Sequence, residues 1–94
     1  MNQIDRIREM EQIYDRLFAS VNDLKKAFTD FSSLSKELEA LESYYTDGAW
    51  IADFEDDERG LLPKNLKRGV LSEDGVYNLL DEIASIKRAM KKLS

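Results

Sequence analysis

From Ile4 to Tyr45 apolar residues recur at steps of three and four with no Gly or Pro between them, and this run constrains the fold more than any other feature of the chain. Ile7, Met10, Tyr14, Leu17, Val21, Leu24, Phe28 and Phe31 keep a heptad-like spacing. Such a spacing lines one side of a helix and would scatter over both faces of a strand. Leu34, Leu38, Leu41 and Tyr45 continue the seam in a second phase. The step of three from Phe28 to Phe31 is followed at once by another to Leu34, a stammer-type slip. It falls in Thr29-Asp30-Phe31-Ser32-Ser33-Leu34-Ser35, where the Thr, Asp and Ser side chains compete for backbone hydrogen bonds. The pattern predicts one long, bent helix from about Gln3 to Tyr45 in preference to two helices.

Beyond Tyr45 the punctuation changes. Thr46-Asp47-Gly48 can end the long helix and cap a short one over about 48–58. Gly60, with Pro63 three residues later, is a helix stop. Residues 60–71 have no sustained period and read as an ordered loop that pins Leu61, Leu62 and Leu66 to the core. Ser72 reads as an N-cap, with Glu73 and Asp74 in the first turn and Leu71 and Val76 spaced as a hydrophobic staple. Val76, Leu79, Ile83, Ile86, Met90 and Leu93 then form the seam of a last helix, about 73–93, whose end carries Lys87, Arg88, Lys91 and Lys92. The expected fold is all-α: an antiparallel hairpin of a long and a shorter helix, with the short helix and the loop at its turn.

Composition limits what such a hairpin can do. With 94 residues the chain is one domain's worth of sequence. An apolar content of 43% is too high for a disordered tail, while 35% charged residues leave no stretch of about 20 apolar residues to span a bilayer. Residues 1–10 hold Asp5, Arg6, Arg8 and Glu9 among isolated apolar residues, unlike a signal peptide, so a cytoplasmic protein is expected. The chain has neither Cys nor His. Thiol and imidazole catalysis, disulfides and Cys- or His-ligated metals are thereby excluded. Of the net charge of −5, residues 37–58 hold nine acids and no base, and residues 59–70 four bases and no acid. This balance disfavours nucleic acid and anionic membranes as partners.

The stretch Tyr44 to Leu80 resembles a known family of short bacterial proteins, domain-of-unknown-function family 4298. The residues that carry the resemblance are Tyr44-Tyr45, Trp50, Asp53-Phe54-Glu55, Asp57-Glu58, Gly60, Leu62-Pro63, the run from Leu66 to Asp74, Tyr77 and Leu79-Leu80. Gly75 departs from the family pattern, which favours a better helix former there. The resemblance implies a bacterial, helical protein and brings no catalytic residues with it.

Three groups of residues are candidates for a site. Asp53, Glu55, Asp57 and Glu58, with Asp56, form an acidic run that could hold Mg²⁺ or Ca²⁺, but an EF-hand count from Asp53 places Glu58 where the obligatory Gly belongs. The run reads better as a solvated face or as the counter-charge of the basic loop. Lys64, Lys67 and Arg68 lack the glycine-rich cradle of a phosphate site and pair more readily with the acids. Tyr44, Tyr45, Trp50, Phe54 and Tyr77 surround the turn and are expected to form one buried cluster, a structural mini-core in preference to a ligand pocket.

The expected function is a non-enzymatic protein–protein interaction module with no cofactor and no metal. The alternative is a small accessory domain that binds an anionic ligand or a divalent metal near Trp50. A 43-residue helix is about 64 Å long and a 21-residue one about 32 Å, so the last helix leaves the seam from Ile4 to Val21 without a partner from its own chain. Either a second copy covers it, giving a homodimer, or the helix breaks near Ser32 and folds back. An unidentified protein partner is the further possibility.

Overall fold

The computed structural model describes residues 2–93, and all regular structure among them is helical. Four α-helices follow in order: α1 (Gln3–Ser32), α2 (Ser35–Thr46), α3 (Ala49–Glu58) and α4 (Gly75–Leu93), with a one-turn 3₁₀ helix, Gly69–Leu71, before the last. No helix among the described residues is long and apolar enough to cross a membrane.

The expected continuous helix is two helices. At the seam's slip the Ser33 hydroxyl donates to the Asp30 carbonyl at 2.6 Å. The Leu34 N–H turns to Phe31 instead, at 3.0 Å, a three-residue step in place of the α-helical four. The serine's competition for the backbone thus ends α1 where the seam changes phase. At its other end α1 has a cap that the spacing did not reveal: the Asn2 side chain accepts from the Asp5 N–H at 2.8 Å.

The chain divides into two compact units, one ending at Glu37 and the next beginning at Leu38. The first is built on α1, which has no buried residue. The second has a small core. Trp50, Leu71 and Val76 are buried, and Leu41, Tyr44, Tyr45, Phe54, Leu62 and Leu80 pack against them.

Local chemistry explains the boundaries in the second unit. Gly48 takes φ +102°, a left-handed conformation that suits glycine, and the Asp47 carboxylate beside it accepts from the Ala49 N–H at 3.0 Å to start α3. Gly60, at φ +73°, ends α3. Its N–H bonds to Asp57 O and that of Leu61 to Asp56 O, both at 3.0 Å, the paired bonds of a Schellman cap.

Two expectations about the loop and the last helix need correction. Leu62 is half-buried, but Leu61 and Leu66 are exposed and pin nothing. Ser72 does not cap α4: its hydroxyl donates to Gly69 O at 2.9 Å, and the helix begins at Gly75 with Asn78 N–H bonded to Asp74 O at 2.8 Å. Leu71 and Val76 still meet in the core as a staple would bring them together. At Gly75 an added Cβ would collide with Ser72 Oγ and lie 3.3 Å from Gly69 O.

Candidate functional site

Trp50 is the centre of the second unit because three elements converge on its ring. Tyr45, at the end of α2, meets it edge-on with centroids 4.9 Å apart and planes at 61°. Phe54, one turn further along α3, stacks on it at 5.0 Å and 20°. The indole N–H donates to Val70 O at 2.8 Å and so ties α3 to the 3₁₀ helix. A buried indole needs such a partner for its N–H, and only the 3₁₀ turn, which no periodicity announces, puts that carbonyl in reach.

Polar contacts tie down the rim. Tyr44 Oη donates to Asp53 Oδ2 at 2.7 Å, a second link between α2 and α3. This bond, with burial and the carboxylate's charge adding to it, pushes the Tyr44 phenol up to about 12. Arg68 Nη1 meets Asp57 Oδ1 at 2.7 Å, half-buried on both sides, and joins the loop to α3. Arg59 lies 3.9 Å from Asp56 in an exposed pair.

The sequence candidates therefore separate. Tyr45 and Trp50 stack in the cluster, Tyr44 and Asp53 bond at its edge, and Asp57 and Arg68 form an ion pair. Tyr77 stands apart: 59% exposed on α4, it does not belong to the cluster in which it was expected. Its neighbour Val76 takes the buried position, because consecutive helical residues point about 100° apart. Glu55, Glu58, Lys64 and Lys67 are exposed and form no ion pair among the described residues.

The arrangement offers little to a ligand. The indole N–H is engaged, Arg68 is neutralised, and among the described residues no three acidic side chains come together as metal ligands would. One concavity in this unit is an open apolar depression of about 290 Å³ lined by Leu41, Gly69, Val70, Gly75, Val76 and Leu79. It carries no acid, base or nucleophile. The cluster joins α2, α3 and the loop.

A family model described as Domain of unknown function (DUF4298) matches residues 7–93. The match extends well beyond Tyr44 to Leu80 and takes in most of α1. No curated protein and no solved structure matches the chain.

Proposed function

We propose that this chain, which belongs to the DUF4298 family, is a non-enzymatic protein-interaction module that pairs through the apolar seam of α1, and that it pairs with a second copy of itself. One observation carries this reading. α1 has 30 residues and none is buried, and its seam from Ile7 to Phe31 is 44% to 61% exposed at every position.

A helix gains most of its stability from packing an apolar face, not from propensity alone. α1 has such a face, and the unit built on it has no buried core. A seam of this length exceeds the few hundred Å² of contiguous apolar surface that monomers expose. The 19 residues of α4 span about 28 Å against about 45 Å for α1, so α4 is too short to cover the seam from end to end. Two-fold pairing of α1 with its own counterpart covers both seams at once.

The alternative, an anion or metal bound near Trp50, has less behind it, because the indole N–H, the Tyr44 hydroxyl, Asp53, Asp57 and Arg68 are already engaged. The test is a charge placed in the seam. Leu17→Asp and Leu24→Asp are each expected to convert a dimer to a monomer while Trp50 emission, which reports the second unit, stays unchanged. A dimer that survives both substitutions would move the interface away from α1.

A further inference from the structure

Resting on the pairing just proposed, the geometry points to its direction: we infer that two α1 helices pack antiparallel, crossing at Leu17 and Val21, with Glu11 of each copy facing Lys25 of the other. Over four heptads every inward position of α1 is apolar. Ile7, Tyr14, Val21 and Phe28 hold the first inward position (a) of each heptad, and Met10, Leu17, Leu24 and Phe31 the second (d).

Side-chain size separates the two directions. In a parallel pair each inward residue meets its own copy, so Tyr14 faces Tyr14, Phe28 faces Phe28 and Phe31 faces Phe31, with three pairs of large rings opposed across one seam. In the antiparallel pair first positions face second ones. Tyr14 then meets Leu24, Phe28 meets Met10, Phe31 meets Ile7 and Leu17 meets Val21, so every ring lies against an aliphatic side chain. Large against small is how facing layers reach native density without strain.

Charge does not choose between the two directions, but it marks each with a different pair. The positions flanking the seam on one side (e) are Ile4, Glu11, Phe18 and Lys25. In an antiparallel pair these flanks face each other, so Glu11 meets Lys25 twice by symmetry and Phe18 meets its counterpart beside the crossing. Phe18 already stacks on Tyr14 of its own helix, with centroids 6.0 Å apart, and widens the apolar strip there. A parallel pair would instead bring Arg6 to Glu11 and leave Lys25 opposite Ser20. Charge therefore offers one attractive pair to each direction, but a different one, and that difference makes the inference testable.

The chain has no Cys, so a single introduced one takes a spin label cleanly. With the full-length Arg8→Cys protein, labels in the antiparallel dimer lie about 35 Å apart, from 22 residues of rise and the ~10 Å between axes, against less than about 20 Å in a parallel one. A charge exchange supplies the second arm. Glu11→Lys is expected to weaken dimerisation about tenfold and Lys25→Glu to restore it. A dimer with the short distance, or one restored by Arg6→Glu and not by Lys25→Glu, overturns the antiparallel assignment and leaves the pairing intact. A monomeric mass for the unlabelled protein overturns the pairing itself.

Discussion

Trp50 Nε1 and Val70 O lie twenty residues apart in sequence and 2.8 Å apart in space, and their hydrogen bond closes the loop between α3 and the 3₁₀ helix over the core. Trp50 is one of only three buried residues in that core, so little else can replace it. Trp50→Ala is expected to cost about 3–5 kcal/mol, and Trp50→Phe, which keeps a ring against Phe54 but loses the bond, about 1 kcal/mol. Urea unfolding of the two variants measures both; equal losses would mean that the bond and not the ring carries the stability.

The Arg68–Asp57 pair is half-buried and joins segments eleven residues apart. Removing it by Arg68→Ala should cost about 0.5–1 kcal/mol. Arg68→Glu should cost more, because it brings a like charge to Asp57, and its excess over Arg68→Ala should shrink at high salt. A penalty that is independent of salt would locate the role of Arg68 in the packing of its stem.

The bond from Tyr44 to Asp53 gives an alkaline signature. Because the Tyr44 phenol is pushed up to about 12, above the usual ~10, its stabilising effect is fully present below pH ~10 and is lost as pH rises through about 12. Phenolate absorbance should show a step near pH 12, and Tyr44→Phe should remove it. Absence of that step would contradict the bond.

Gly75 and Ser72 compete for one space. Gly75→Ala gains helix propensity but displaces the Ser72 hydroxyl from Gly69 O, so alone it should destabilise. In a Ser72→Ala background, where no hydroxyl is left to displace, the same change should be neutral or stabilising. A double-mutant cycle measures the coupling, and strict additivity would show that the two residues do not interact.

Much of this was legible in the residues themselves. The three-and-four spacing announced α1 and α4, and Gly48 and Gly60 marked the limits of α3, because each supplies a left-handed residue that few others adopt. The slip at Phe31 located the interruption but not its outcome, since a bend and a break differ by where one serine hydroxyl points. The candidate site was legible in part. Trp50 to Phe54 is a helical step within one element, whereas the Val70 carbonyl is brought in by a 3₁₀ turn whose only sequence mark is Gly69. Tyr77 follows the seam residue Val76 by one position, and about 100° of helical rotation turns it out of the cluster that Val76 enters.

Pairing of two copies through the α1 seam doubles the mass of the unmodified protein in solution. Light scattering at micromolar concentration and moderate salt should return about twice the 10.9 kDa of one chain, falling toward the single mass on dilution. A mass of 10.9 kDa that does not change with concentration would contradict it.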